Sequence, residues 1–273
     1  MDGRSAGPII VERVTDMISV CADLDDETAA LRTVIDAGGA GALERPTPAE
    51  GWSVRDQITH LAYFDRAAVT AVTEPERFAA ESAAMMSDAS GGEDGILALG
   101  RQRDVLAWWR DERAAMTEVF RRLDPRQRIP WYGPPMSALS FATARLMETW
   151  AHGQDVVDAL GARRPATDRL RHVAHIGVRA RPFSYATRGL TAPDAEVYVA
   201  LTAPSGETWE WGSPAENRVT GPALDFCLVV TQRRHVADSS LVIEGPEATE
   251  WMSVAQAFAG PPGPGRQPGQ FPS

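Results

Sequence analysis

The chain carries two informative stretches, Gly51-Trp-Ser-Val-Arg-Asp-Gln-Ile-Thr-His60 and Arg145-Leu-Met-Glu-Thr-Trp-Ala-His-Gly-Gln-Asp155. Both have the character of a helix. Glu148 and His152 are four residues apart, so they share one helical face about one turn from each other. With the imidazole of His60 from the other stretch, they make a ligand set suited to a divalent metal. The two stretches therefore predict helices that meet around one polar site.

Helical periodicity extends outward from both stretches. It predicts a first helix over 14–37, a second from the N-cap Ser53 to about Thr73, a third over 96–123 and a fourth over 137–160, closed by Gly161. Asp56 completes a variant capping box with Ser53, and residues 87–94 are predicted to form a loop. Four helices with a long connection predict a four-helix bundle over 9–161.

The pattern changes after Gly161. Alternating segments at 195–202, 207–211 and 217–220 predict a small antiparallel sheet, followed by a helix over 222–232, a strand over 240–244 and a helix over 248–258. We therefore expect a second, α+β domain over 169–259, and the α+β class for the whole chain. Residues 260–273 are rich in Gly and Pro and are predicted to be a disordered tail.

Composition restricts the partners. The net charge is −10 and every one of the 27 cationic side chains is arginine, with no basic cluster, which argues against nucleic-acid binding. Only Cys21 and Cys227 are present, so we expect a reducing, cytoplasmic environment. No signal peptide or membrane-length apolar run is visible, so no membrane partner is expected. A homodimer is one possible assembly.

The same three residues also have a simpler interpretation, in which they bind no metal. A lone helical histidine is more often a surface or hydrogen-bonded core residue, and Glu148 could pair with His152 while His60 caps the pair. However, both predicted helices carry small and apolar residues around these groups. Polar groups facing a bundle interior are costly to bury without a partner, and a metal ion is one such partner.

The same stretches resemble the DinB-like superfamily and, within it, the mycothiol-dependent maleylpyruvate isomerase branch. The resemblance rests on Gly51-Trp-Ser-Val-Arg-Asp-Gln-Ile-Thr-His-Leu61, on Glu148-Thr-Trp-Ala-His-Gly-Gln-Asp-Val156 and on the order of helices. It implies that His60, Glu148 and His152 bind a divalent ion, usually zinc. It also implies a smaller second domain of the sterol-carrier type.

Residues close to the predicted ligands in sequence are expected to support the site or the fold rather than to bind the ion. Asp155 follows His152 by three residues and is interpreted as an acceptor that orients the His152 imidazole, with a fourth ligand or an exposed acid as alternatives. Asp65 is predicted to be a surface acid. Trp52 and Trp150 are expected to pack the bundle rather than to act in chemistry.

The expected chemistry follows from an open metal position. Three protein ligands leave room for a water or a thiolate, and no cysteine lies near the predicted site in the sequence. A low-molecular-weight thiol cosubstrate is the natural interpretation, and the resemblance implies mycothiol. It also implies a second-domain arginine that binds a substrate carboxylate, for which Arg233 and Arg234 are the candidates, with plain surface solvation as the alternative.

Three functions stay open at this stage. The chain is a thiol-dependent isomerase or S-transferase acting on a small electrophilic substrate, a metal-dependent hydrolase using metal-bound water, or a non-catalytic protein that binds a small molecule or lipid. A shared fold and metal triad do not choose among them.

Overall fold

A computed structural model describes residues 16–87, 92–263 and 265–271. The predicted start of the first helix at residue 14 and residues 88–91 of the predicted loop at 87–94 lie outside these residues. Residues 92–94 of that predicted loop are helical instead. Within the described part of the chain, the N-terminal unit contains six α-helices: α1 (Met17–Ala37), α2 (Val54–Thr73), α3 (Pro75–Met86), α4 (Gly92–Arg101), α5 (Val105–Phe120) and α6 (Ala138–Leu160). Two-residue strands β1 (Arg128–Ile129) and β2 (Met136–Ser137) pair just before α6.

The helices that carry the informative stretches begin and end where the sequence predicts. Ser53 caps α2 in a capping box with Asp56, and Ser137 caps α6. Gly161 ends α6 in the left-handed conformation, with φ of 61°, a region that favours glycine. These local signals fix where the polar residues of α2 and α6 face.

The prediction of one long helix over 96–123 is wrong. The chain breaks after Arg101 and restarts at Val105, because Asp104 accepts a hydrogen bond from the Ala107 backbone N–H and caps a new helix. At Gly100, α4 passes so close to α2 that a Cβ atom would lie 1.7 Å from Thr59 Oγ1. Helix α3, which begins at Pro75 directly after α2, was not predicted either.

The C-terminal unit joins four helices to a four-stranded sheet. Its elements are α7 (Leu170–Arg179), α8 (Arg181–Ala186), β3 (Tyr198–Thr202), β4 (Thr208–Trp211), β5 (Arg218–Pro222), α9 (Ala223–Val230), β6 (Val242–Glu244) and α10 (Pro246–Val254). The strand order is β4-β3-β5-β6. Helices α7 and α8 were not predicted. The α+β class with an N-terminal helical unit is confirmed.

The prediction of a purely antiparallel sheet is wrong. Strands β3 and β4 are antiparallel, but β5 pairs with β3 in parallel, with Val199 opposite Val219. Residues 212–217 carry the chain past the end of β3, so β5 begins on its other edge rather than beside β4. The alternation of side chains that predicts a strand does not reveal the direction of its neighbour.

One hydrophobic cluster runs through both units. It includes Phe141 and Trp150 of α6, Leu170 of α7 and Phe226 of α9. A second cluster, with Ile58 of α2 among its members, is formed by residues of α1, α2, α5 and α6. The two-domain division stays a prediction, since the packing across the boundary is continuous. Among the described residues, no helix is long and apolar enough to cross a membrane.

Residues 260–263 and 265–271 of the tail form no helix or strand, but they lie against the body of the protein. Arg266 donates hydrogen bonds to Asp155 at 2.7 Å and to the backbone carbonyl of Pro48 at 3.1 Å. The Gly269 N–H donates to Asp238, and the Arg234 guanidinium lies over the Phe271 ring. Composition predicts disorder here, but the structure supplies ionic partners that composition alone cannot reveal.

Candidate metal centre

The three predicted ligands converge. One ligand atom from each of His60, Glu148 and His152 can be chosen so that all lie within 4.8 Å of one another. Helix α2 supplies His60, and α6 supplies Glu148 and His152 one turn apart. The His60 and His152 ring centroids are 4.3 Å apart. The four-residue spacing and the α2–α6 contact together create a compact set of donors.

A hydrogen-bond chain assigns the tautomer of His152. The Thr47 hydroxyl donates to the carbonyl of Trp52 at 2.9 Å, so its oxygen accepts from Gln57 Nε2 at 3.0 Å. Gln57 Oε1 therefore faces His152 Nδ1, at 2.5 Å, as an acceptor. The proton of a neutral His152 must lie on Nδ1, which leaves the Nε2 lone pair directed into the site.

That lone pair meets a carboxylate. His152 Nε2 lies 3.2 Å from Glu148 Oε2. Two acceptors at this distance repel each other unless a cation lies between them, either a proton on His152 or a metal ion. The donor set therefore fits a divalent ion: two imidazoles and one carboxylate are ligands that zinc accepts.

The electrostatics of the other two residues suit cation binding. Burial lowers the pKa of His60 well below its ordinary value, and the charges of His152, Arg145 and Arg233 lower it further against the opposing effect of Glu148. Burial would raise the pKa of Glu148, but the hydrogen bond that His152 donates when both its nitrogens are protonated, together with the charges of His152, His60 and Arg145, lowers it to about 2. A neutral imidazole and an ionised carboxylate are the forms that bind metal.

Aromatic rings surround the imidazoles. Trp52 stacks on His152 with 13° between the ring planes and centroids 6.0 Å apart, and Phe64 lies 4.6 Å from His60. Trp150 is buried on α6, where the Arg164 guanidinium lies over its ring. Both tryptophans therefore pack the helices, as the sequence analysis expected. The apolar surfaces of Trp52 and Phe64 restrict the water around the imidazoles.

Asp155 does not orient His152, because Gln57 occupies that role. Asp155 is 1% exposed and accepts from two arginines instead, Arg233 at 2.7 Å and Arg266 at 2.7 Å, one at each carboxylate oxygen. Asp155 lies more than one turn before the end of α6 and faces the C-terminal unit. Asp155 is only three residues from the predicted ligand His152, yet its carboxylate binds arginines rather than the imidazole.

The two candidate arginines lie in different surroundings. Arg233 binds Asp155 and is close enough to the metal centre to lower the pKa of His60. Arg234 forms two hydrogen bonds with Asp158, at 2.7 and 2.8 Å, and lines a separate groove of about 360 Å³. The structure brings Arg233, rather than Arg234, to the candidate metal centre.

Asp65 corrects the prediction of a surface acid. It is fully buried and accepts hydrogen bonds from Arg113 at 2.8 Å and from Arg145 at 3.0 Å. Arg113 also donates to the hydroxyls of Thr28 and Thr149. This network lies behind the ligands and joins α1, α2, α5 and α6. Because Arg113 and Arg145 are non-adjacent in sequence, only the fold reveals that they share one carboxylate.

The sequence analysis missed three residues of the site. Gln57 precedes His60 by three residues on the same helical face, which is a usable signal. Arg145 precedes Glu148 by three residues and gives a similar, weaker signal. Arg266 gives none, because its contact with Asp155 spans 111 positions.

The fold and the three converging side chains define a class of helical proteins with an appended α+β unit. The mycothiol maleylpyruvate isomerase N-terminal domain matches residues 24–157, and the chain belongs to this family. Two solved structures share the fold at a TM-score of 0.54: the mycothiol-dependent maleylpyruvate isomerase, at 16% identity, and a histidine-to-alanine mutant of it, at 15%. Each alignment covers 85% of this chain and 96% of the other.

Nearer relatives come from Mycobacterium tuberculosis. The uncharacterized proteins Rv0036c and MT0041, from two strains, are each 46% identical to this chain over 249 residues. The alignment covers 90% of this chain and 97% of each relative. The similarity therefore extends through the α+β unit, beyond the part that the family's domain matches.

Proposed function

We propose that this protein binds one divalent ion, most simply Zn²⁺, at His60, Glu148 and His152, and uses a low-molecular-weight thiol on a small electrophilic substrate. The reaction class is a thiol-dependent isomerisation or S-transfer, and mycothiol is the proposed cosubstrate. The observation that carries the proposal is the convergence of three donors within 4.8 Å, with the pKa values of both His60 and Glu148 lowered. Family membership supports the thiol.

A bound ion would act as a Lewis acid with an open position for a thiolate sulfur. The chain's own residues do the rest of the positioning. Gln57 holds the His152 ring with Nε2 facing the site. Trp52 and Phe64 limit the access of water to the imidazoles. Arg233 offers a guanidinium to a substrate carboxylate near the centre.

The two cysteines support an external thiol. Both Cys21 and Cys227 are fully buried. Burial raises the pKa of Cys21 to about 11 and that of Cys227 well above its ordinary value. A thiol nucleophile acts as the thiolate, so neither side chain is suited to the role at neutral pH. The sulfur in the proposed reaction must then come from a small molecule, in keeping with a cytoplasmic setting.

Cobalt substitution tests the proposal directly. Mycothiol, or its cysteinyl-glucosamine core, should produce a saturable sulfur-to-metal charge-transfer band, and His60→Ala should weaken or abolish it. Product analysis with a panel of electrophiles, with and without the thiol, should show thiol-dependent turnover. An unchanged spectrum at saturating thiol, together with hydrolysis of an ester, would replace the proposal with a metal-dependent hydrolase. A protein with neither activity would be a binding protein.

A further inference from the structure

The tail brings a second arginine to the one that faces the metal centre. Asp155 accepts a hydrogen bond at each carboxylate oxygen, both at 2.7 Å. One donor is Arg233, which follows α9, and the other is Arg266 in the tail. Their side chains are 13% and 14% exposed. The two guanidiniums thus share a single, almost fully buried carboxylate. This arrangement leaves one positive charge in excess beside the ligands.

Both arginines also have unused donors. Arg233 gives one hydrogen bond to the carbonyl of Thr231, and Arg266 gives one to the carbonyl of Pro48. The Nε atom of each is buried and has no hydrogen-bond partner among the described residues. A buried donor without a partner is unfavourable, and more so on a charged group. An acceptor from outside the protein would relieve this cost at both arginines.

The wider charge balance favours an anion. Behind the ligands, Arg113 and Arg145 likewise share one carboxylate, that of Asp65. Counting these residues with Glu148, Asp155, Arg233 and Arg266 gives four guanidiniums and three carboxylates before any metal ion binds. The region is therefore positive within a chain whose net charge is −10. A divalent ion would increase this contrast.

Arg266 also joins the segments that carry the metal ligands. Pro48 is adjacent to Thr47, which positions Gln57 against His152, while Asp155 belongs to the same helix as Glu148 and His152. Arg266 bridges the two segments by binding Pro48 and Asp155. The tail is thereby placed at the edge of the candidate centre.

We propose that Arg266 is a specificity-determining residue, which forms with Arg233 a paired-guanidinium site for one carboxylate of the small substrate. The inference deepens the proposed function and rests on it for the identity of the ligand as a substrate. One carboxylate matches the one excess charge of the pair. The tail selects carboxylate-bearing ligands over neutral ones of the same shape.

The test compares benzoylacrylate, an electrophilic alkene with one carboxylate, with its neutral amide. Binding is measured by calorimetry on zinc-loaded full-length protein without thiol, and again after chelation, so that direct binding to zinc is separated from binding to the arginines. The wild type should prefer the acid at least tenfold in both forms. Arg266→Gln should reduce this preference about tenfold, and Arg266→Lys should keep most of it.

Arg163→Gln provides a matched control, because Arg163 is exposed and makes no hydrogen bond or ion pair with another described residue. Its preference should equal that of the wild type. The proposal is overturned if Arg266→Gln keeps the full preference, if it weakens the acid and the amide equally, or if the wild type does not prefer the acid. Thiol-dependent turnover is assayed separately. If turnover is absent while the preference for the acid is intact, the proposed function is wrong and the carboxylate site formed by Arg233 and Arg266 is supported.

Discussion

Gln57 Oε1 lies 2.5 Å from His152 Nδ1 and joins the start of α2 to the ligand face of α6. The amide is not free to reverse, because its Nε2 donates to Thr47, whose hydroxyl donates onward to a backbone carbonyl. A neutral His152 therefore presents Nε2 to Glu148 and to any bound cation. One amide determines which nitrogen is available.

Removing this amide should weaken metal binding without removing a ligand. Gln57→Ala should reduce zinc affinity about 10–100-fold, the range measured when a residue that orients a metal ligand is lost. Competition with a chromophoric chelator measures the change. Gln57→Glu keeps an acceptor at the same position and should retain more affinity than Gln57→Ala. Equal affinity in wild type and Gln57→Ala would contradict the role assigned to Gln57.

The triad itself predicts metal content. Purified protein should contain about one zinc-like ion per chain, because three preformed donors need little rearrangement. His152→Ala removes one donor and leaves Glu148 without its neighbour, so the variant should lose most of the ion. Elemental analysis decides the point, with His235→Ala as a control because His235 is not among the converging ligands. Unchanged metal content in His152→Ala would contradict the assignment of these three residues as the metal ligands.

The local part of the fold was predictable from sequence, and the reason is visible in α2 and α6. Ser53, Ser137 and Gly161 act on the backbone within a few residues, so the sequence alone marks the ends of these helices. The break after Arg101 also has a local signal, the Asp104 cap, which was overlooked. The direction of β5 depends instead on its pairing with β3, a distant element. Local signals cannot supply that information.

The site divides in the same way. The ligand residues were predictable because Glu148 and His152 repeat at the helical period and the stretches resemble a known family. Asp65 was misjudged because its arginine partners lie 48 and 80 positions away. Arg266 was missed for the same reason. Charge pairing across the fold is a property of tertiary structure, whereas ligand spacing on one helix is a property of sequence.

Asp65 should be essential for stability. Asp65→Ala leaves Arg113 and Arg145 buried without their carboxylate, and breaking a buried ion pair typically costs about 3–5 kcal/mol. Urea denaturation should show a loss of this order in the free energy of unfolding. Asp111→Ala is the control, because both Asp111 and Arg110 are exposed; its effect should stay within about 0.5 kcal/mol. Similar stability in the two variants would contradict the buried network.

His60 should make the metal-free protein sensitive to mild acid. The pKa of His60 is lowered in the folded state, mainly by burial. Below pH 6.5, the ordinary value, His60 therefore binds a proton in the unfolded chain while it stays neutral in the folded protein. The stability present above pH 6.5 should therefore fall as the pH falls below it. Glu148, lowered from 4.5 to about 2, should add a second loss between those values.

Denaturant unfolding of chelator-treated protein at pH 7.5 and pH 5.5 measures the first effect. The loss between these two values should be smaller in His60→Gln, which cannot titrate. His175, whose pKa burial also lowers, contributes to the remaining slope in both proteins. An identical loss in wild type and His60→Gln would show that His60 is not held neutral by the fold.

Glu27 should protect the predicted boundary between the two units. It is 2% exposed on α1 and accepts hydrogen bonds from Arg164 at 2.8 Å and from Arg169 at 2.9 Å, which hold the linker against the bundle. A protease binds its substrate in an extended form, so these contacts should slow cleavage by trypsin after Arg163 and Arg169.

Glu27→Gln weakens both ionic contacts and should increase the initial rate of cleavage after these two arginines several-fold, as followed by mass spectrometry of the fragments. Glu44→Gln, which alters only the more exposed pair with Arg55, should cleave at the wild-type rate. If Glu27→Gln and wild type are cut equally slowly, the linker is held by something other than Glu27. First cuts spread through residues 195–258 would contradict a separate C-terminal domain.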